Sequence, residues 1–355
     1  MPKRIVLTGG GTAGHVSPNL AIAPLLRCDG WDIHYIGSHH GIESIMAPEA
    51  GLAYHAISTG KLRRYFSMKN FTDPFRITGG TLQALRLLKK LKPKVVFSKG
   101  GFVSVPVAVA AGMCKIPLVL HESDITPGLA NKLCLPFSDI VCTSFESTLK
   151  YTKGKGVHTG TPIRQYILKG DKDAGLAMCG FSRSLPNLLV IGGSLGAVAI
   201  NDCVRSILDR LVAKYNVVHI CGRGNLDESL LSKEGYAQFE FLGAELADIY
   251  AMANLAVSRA GATALSELLA LSIPSLLIPL PLASSRGDQI LNARFFFEKG
   301  YCAMLMQEDM NSASLAAGID ELYDNRGKYI SGMKKSGAVG AANNVLKAIY
   351  SCVGD

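Results

Sequence analysis

The chain has one tryptophan in 355 residues, no Cys-x-x-Cys pair among nine cysteines, and no low-complexity tract. The odd set of cysteines, at 28, 114, 134, 142, 179, 203, 221, 302 and 352, sits mostly within apolar runs. That excludes a disulfide framework, argues against a zinc site, and leaves reduced thiols as in the cytosol. The first residues, Met-Pro-Lys-Arg before a short apolar strand, lack the apolar core of a signal peptide. The longest apolar stretches, 102–120 and 268–283, are broken by Lys115 or by Pro274, Pro279 and Pro281. Neither reads as a spanning helix, so any membrane contact is expected to be peripheral.

Acids nearly vanish between 61 and 100, where eleven Lys and Arg face Asp73 alone. That stretch carries +10 against +9 for the whole chain, so the remainder is slightly acidic. Lys61, Arg63, Arg64 and Lys69 alternate there with Tyr65, Phe66 and Phe71. Cations beside apolar anchors suit an anionic membrane surface. The alternative is ordinary solvated surface, and for 81–92 a helix with basic residues outward and leucines inward. No nucleic-acid recognition signature accompanies the charge, so a nucleic-acid partner is not expected.

What is present is glycine in two places, Gly9-Gly10-Gly11-Thr12-Ala13-Gly14-His15 and Gly192-Gly193-Ser194-Leu195-Gly196-Ala197. Each follows a strand-like run and opens an amphipathic helix, the setting in which backbone amides and a helix dipole favour phosphate. Short apolar runs alternate with helical segments throughout, as in parallel sheets with right-handed crossovers. The expected architecture is α/β, with two doubly wound parallel-sheet domains facing a cleft. The domains are expected at 1–162 and 163–337, with a last helix in 338–355 after a glycine-rich hinge. Further helices are expected near 81–91, 145–152 and 196–213, and a strand near 238–242.

Gly9, Gly11 and Gly14 satisfy G-x-G-x-x-G, but the second strand ends in Gly37-Ser38 without the acid that would bind a ribose. A dinucleotide oxidoreductase is thereby disfavoured. His15 closes the loop on the first helical turn, where the dipole disfavours the imidazolium and keeps a ring able to act as base; simple capping or packing is the alternative. Ser258-Arg-Ala-Gly-Ala-Thr-Ala-Leu-Ser-Glu267 follows another strand. The amides of Gly261, Ala262 and Thr263 can take phosphate there. Glu267, one turn on, can accept both hydroxyls of a ribose, or can be a helix acid stabilised by the dipole. The loop 279–292 is rich in hydrogen-bonding side chains suited to a sugar.

Together these segments resemble the peptidoglycan N-acetylglucosaminyltransferase (MurG) family, which glycosylates the undecaprenyl-diphosphate-linked muramoyl-pentapeptide (lipid I). The resemblance is carried by GGGTAGHVSP at 9–18, KGGFVS at 99–104, HESDITPGLAN at 121–131, GTPIR at 160–164, GGSLGA at 192–197, residues 258–267, and DQILNA at 288–293. It implies a GT-B fold, an inverting transfer without cofactor or metal, and the cytoplasmic face of the bacterial membrane as location. Implied partners are UDP-N-acetylglucosamine, lipid I, an anionic membrane surface and other cell-wall enzymes.

By the same resemblance Glu267 binds the ribose, Ser194 and the 261–263 amides bind the diphosphate, and the backbone near Leu242 binds the uracil. Arg164 sits beside the nucleotide, and Gln289 and Asn292 contact the sugar. Thr12, Ala13 and Gly14 join the substrate site. His15 is the base that deprotonates the acceptor 4-hydroxyl. Asp124 stands where some members have an Asn that touches the donor sugar, and shares in proton transfer as the alternative base. Leu195 replaces a Gln of some members. No Asp-x-Asp pair stands in a metal-holding loop. A related diacylglycerol glycosyltransferase and a non-catalytic sugar-nucleotide sensor are the other readings.

Overall fold

Runs such as Ile5-Val6-Leu7 and Val95-Val96-Phe97 are inaccessible on both faces, as strands of a parallel sheet covered by helices must be. The computed structural model describes residues 3–60, 69–182, 184–193, 196–336 and 340–353, with the backbone alone over 69–75. It divides into two compact units, Met1–Arg164 with Gly340–Asp355, and Gln165–Val339.

The first unit runs β1 (Lys3–Thr8), α1 (Ala13–Cys28), β2 (Trp31–Ser38), α2 (Glu43–Glu49), β3 (Ala53–Ile57), α3 (Lys69–Leu91) and β4 (Val95–Ser98). It continues with α4 (Ser104–Cys114), β5 (Leu118–Glu122), α5 (Leu129–Cys134), β6 (Ile140–Thr143) and β7 (Gly156–His158). Its parallel sheet has the order β3-β2-β1-β4-β5-β6-β7. The second unit runs α6 (Lys172–Met178), β8 (Asn187–Ile191), α7 (Val198–Ser206), α8 (Leu208–Val212), β9 (Asn216–Ile220), β10 (Tyr236–Phe239), α9 (Leu246–Met252) and β11 (Leu255–Ser258). Then come α10 (Ala262–Leu271), β12 (Ser275–Leu277), α11 (Asp288–Glu298), β13 (Ala303–Met304), α12 (Ser312–Asp324) and α13 (Arg326–Lys334), around a sheet ordered β10-β9-β8-β11-β12-β13. The final helix, α14 (Ala341–Ser351), belongs to the first unit. There it seals the α1 face with Val345 and Ile349, and Tyr350 stacks on Trp31 at 6.0 Å.

In each sheet the strand order reverses once, at β1/β4 and at β8/β11. The crevice beyond the strand ends at such a reversal is where an open α/β sheet binds ligands. The turns that follow these four strands begin at Gly9, Lys99, Gly192 and Arg259. Four motifs scattered through the sequence are thus gathered into two places.

Several expected elements are corrected. The helix expected from 81 begins at Lys69, so the end of the basic-aromatic segment is helical. Residues 146–151 form a 3₁₀ turn in place of a helix, and the helix expected over 196–213 breaks at Ile207. The strand expected at 238–242 ends at Phe239, which leaves Leu242 in the following loop. Of the hinge glycines expected at 332, 337 and 340, Gly332 lies inside helix α13, where a Cβ would stand 2.9 Å from the Gly300 carbonyl, so glycine permits the close packing; Gly337 lies outside the described residues.

His219 of β9 is enclosed. Its Nε2–H donates to Asn201 Oδ1 at 3.0 Å, and Nδ1 accepts from the Tyr236 hydroxyl at 2.9 Å. Burial pushes this imidazole down to about 3. The unfolded chain takes up the proton near pH 6.5, so stability is complete above that value and is lost progressively as pH falls toward about 3. Thermal melting from about pH 7 to 4 is expected to fall more steeply for the parent than for His219→Gln. Parallel slopes would remove His219 from the acid response.

Candidate active site

The turn after β1 is tied down on both sides. Gly10 N donates to the Gly100 carbonyl at 3.3 Å, and a Cβ on Gly101, which has φ +83°, would meet the Gly10 carbonyl at 2.2 Å. Beneath it, buried Tyr35 donates to the Gly9 carbonyl at 2.7 Å, and Asn19 Nδ2 donates to the Thr8 carbonyl at 3.0 Å. Thr12 N-caps α1, with Ala13 and Gly14 half-buried in the first turn. The Thr12 hydroxyl lies 3.0 Å from His15 Nδ1. In the tautomer that donates from Nδ1, Nε2 carries the lone pair that a base needs.

The Gly11 amide is already given to the chain's own carboxylate, Glu43 Oε2, at 3.0 Å. Sequence reading assigned Glu43 no role.

Beside this loop, at the ends of β4 and β5, lies a buried ionic group. Lys99 Nζ donates to Ser123 Oγ. Burial drives the lysine downward, opposed by the carboxylates of Glu122 and Asp124. Glu122 is driven upward, first by burial and then by Asp124. Its Oε1 accepts from the Asp124 amide at 3.0 Å, and its Oε2 from Gly128 N at 3.0 Å and Asn131 Nδ2 at 2.8 Å. Asp124 is therefore held through its backbone by Glu122, with Thr148 Oγ1 donating to its carbonyl at 3.2 Å. His121 donates Nε2–H to the Gly160 carbonyl at 2.9 Å, and burial keeps it neutral. Lys99, His121 and Glu122 sit inside motifs noted in the sequence, but nothing in residue type or spacing foretold their burial. Arg164, half-buried, ends this unit.

A cavity of about 620 Å³ opens in the first unit, lined by Gly10, Gly11, His40, Glu43, Thr59 and Arg76, among others. It combines exposed cationic or titratable side chains with loop backbone.

In the second unit, β11 leads into the turn Arg259-Ala260-Gly261. Arg259 is buried and donates to the Ile278 and Pro279 carbonyls at 3.1 and 3.3 Å. Gly261 N-caps α10, with Ala262 and Thr263 half-buried in the first turn. Amides of a first turn lack intrahelical partners and present themselves to an anion. Glu267 is only 4% exposed, and its Oε2 accepts from Tyr250 Oη at 3.0 Å. Gln289 Oε1 accepts from Leu280 N at 3.1 Å, which joins α11 to the loop after β12. Leu242 is half-buried in the loop after β10.

Asn292, expected at the sugar, is fully buried and donates to the Ala260 carbonyl at 3.3 Å, so it braces the phosphate-type turn from beneath. Ser194 lies outside the described residues, as do Lys61, Arg63, Arg64, Tyr65 and Phe66; Lys69 and Phe71 fall in α3 without described side chains. Asp171-Lys172-Asp173 is a helix start in which Asp171 caps α6 through Asp173 N at 2.8 Å. Among the described residues no group of three or more His, Cys, Asp or Glu could hold a metal.

Two doubly wound parallel units, the second with an amide-rich helix start and a buried acid one turn on, define a nucleotide-sugar glycosyltransferase of the GT-B type. The chain belongs to glycosyltransferase family 28, whose N-terminal domain matches residues 5–143 and whose C-terminal domain matches 187–349. It is 52% identical over 348 residues, 98% of either chain, to the UDP-N-acetylglucosamine–N-acetylmuramyl-(pentapeptide) pyrophosphoryl-undecaprenol N-acetylglucosamine transferase of Lachnospira eligens. The same identity holds over 347 residues with the enzyme of that name from Clostridium perfringens SM101, covering 98% of this chain and 97% of the relative. Among solved structures it is similar to MurG of Acinetobacter baumannii, with a TM-score of 0.78 and 25% identity over 99% of this chain and all of the other.

Proposed function

We propose that this chain transfers N-acetylglucosamine from UDP-N-acetylglucosamine to the 4-hydroxyl of the muramoyl unit of lipid I, giving lipid II with inversion at the anomeric carbon. The geometric observation that carries the reading is the pairing of the α10 amides with buried Glu267 one turn on. The full-length likeness to enzymes of that name supports the choice of donor and acceptor.

The second unit holds the donor: Gly261, Ala262 and Thr263 take the diphosphate, Glu267 the ribose, the backbone near Leu242 the uracil, and Gln289 the sugar. Ser194 joins the diphosphate site from the preceding glycine turn. Asn292 acts through the turn it braces. The first unit holds the acceptor, with its cavity and His15 at the ends of the same strands. In the displacement, the acceptor oxygen forms a bond to the anomeric carbon as the bond to the UDP oxygen breaks. The hydroxyl proton passes to His15 Nε2, and the electron pair leaves on the diphosphate, where helix amides stabilise it. Asp124 is the alternative base. Turnover of radiolabelled UDP-N-acetylglucosamine with a short-chain lipid I analogue, against diacylglycerol, tests the reading. Transfer to diacylglycerol alone would overturn it.

The acceptor's lipid places the enzyme at a membrane surface. We assign docking to 61–76 with the start of α3. Support comes from Arg86, Lys89 and Lys90 on the same helix and from Leu82, which is 50% exposed. No helix among the described residues is long and apolar enough to cross a membrane. Binding to anionic vesicles is expected to weaken with salt as the Debye length falls from about 10 Å at 0.1 M to about 3 Å at 1 M. Each of Lys61, Arg63, Arg64 and Lys69 replaced by Ser is expected to cost near 1 kcal/mol at low salt. Replacing Tyr65, Phe66 and Phe71 should abolish the salt-resistant part. Co-sedimentation indifferent to both salt and these changes would move the contact to another face.

A further inference from the structure

The β1–α1 glycine turn has the form of a phosphate cradle, yet an internal carboxylate fills the anion's place. Glu43 opens α2 and is 1% exposed. Its Oε2 accepts from Gly11 N at 3.0 Å, and its Oε1 from Ser38 N at 3.2 Å and Ser38 Oγ at 2.5 Å. Ser38 is itself held, since its hydroxyl oxygen accepts from Gly41 N at 3.0 Å and its carbonyl from the Tyr54 hydroxyl at 2.5 Å. Three glycines surround the carboxylate. A Cβ on Gly10, Gly37 or Gly41 would stand 2.4, 2.8 or 2.2 Å from Glu43 atoms. No side chain larger than hydrogen fits at these positions while Glu43 keeps its place.

The geometry points to Glu43 as a positioning residue for the transfer. It fastens the glycine turn to the β2–α2 turn, while the bond from Gly10 N to the Gly100 carbonyl fastens the other side. Held between them, the turn places Thr12, and Thr12 meets His15 Nδ1 at 3.0 Å. A carboxylate suits the post because it is acceptor-only and can receive all three donors. A glutamine there must turn an NH₂ toward the amide or the hydroxyl. The inference rests on the assignment of His15 as base.

The test is a kinetic cycle on the full chain with UDP-N-acetylglucosamine and a short-chain lipid I analogue. Glu43→Gln is expected to lower kcat by about 10–100-fold, the scale of a misplaced catalytic group, with donor KM and UDP affinity within about twofold. In the His15→Ala background the same change is expected to cost less than about twofold, because the group it positions is gone. A general loss of structure would cost as much in either background. The milder Ser38→Ala removes one donor, and a drop of about threefold in kcat on folded protein is expected, so the test survives poor folding of the Gln variant. Parental turnover in a folded Glu43→Gln, or an equal loss in the two backgrounds, overturns the proposal. Parental turnover in His15→Ala overturns the base assignment and this inference with it, and the single variants distinguish that failure from the first.

Discussion

His15→Ala is expected to lower kcat by about 10²–10⁴-fold while UDP affinity remains as in the parent, because the donor is assigned to the other unit. The Thr12–His15 contact makes the prediction specific to a ring nitrogen, since with Nδ1 engaged at 3.0 Å the reacting atom is Nε2. Glutamine at 15 should not restore turnover, for an amide nitrogen has no lone pair to offer. Asp124→Asn is the companion. The Asp124 backbone is held by Glu122 and Thr148, and the substitution leaves these two bonds in place while replacing the carboxyl with an amide. Single-turnover rates on the two variants decide the matter. Greater loss in Asp124→Asn, with His15→Ala largely active, reverses the two roles.

Glu267→Ala is expected to weaken UDP binding by roughly 1.5–3 kcal/mol, the scale of hydrogen bonds to a charged group, and to raise donor KM accordingly. The carboxylate is almost inaccessible and anchored by Tyr250, so its orientation is set before a ligand arrives. Tyr250→Phe removes that anchor and should give a smaller loss of the same kind, about 1 kcal/mol. Calorimetric titration with UDP on folded protein measures both. An unchanged dissociation constant for the Ala variant would remove Glu267 from the donor site.

Legibility in the sequence followed the physics of each element. Fully buried parallel strands write themselves as runs such as Leu188-Leu189-Val190-Ile191, and glycine turns are visible because no other residue tolerates their backbone; Gly11 at φ +86° and Gly193 at φ +100° are examples. The Ser258–Glu267 segment shows its helix-start amides and its acid in one stretch of chain, while spacing left ribose binding and a dipole-stabilised helix acid both open. Asn292 could not be placed from its segment. An amide side chain in a polar loop looks like a sugar contact, and only the packing of α11 under Ala260 turns it inward. Glu43 was silent for the same reason, because the three glycines that enclose it come from the turn after β1, from β2 itself and from the turn after β2.

The sequence by itself determined the class of fold and the two glycine turns, and nominated the residues proposed to meet donor and acceptor. These depend on local rules: strand and helix periods, backbone freedom at glycine, and the unpaired amides of a helix start. The tertiary structure alone decided which of those groups are buried on internal partners and which stand at the strand ends. Strand order gathers Gly9 with Lys99, and Gly192 with Arg259, across more than 60 residues of chain in each case. Burial then commits Lys99, Glu122 and Glu43 to internal partners, because a buried polar group must be hydrogen-bonded, and such bonding is a property of the packed state that no segment holds alone.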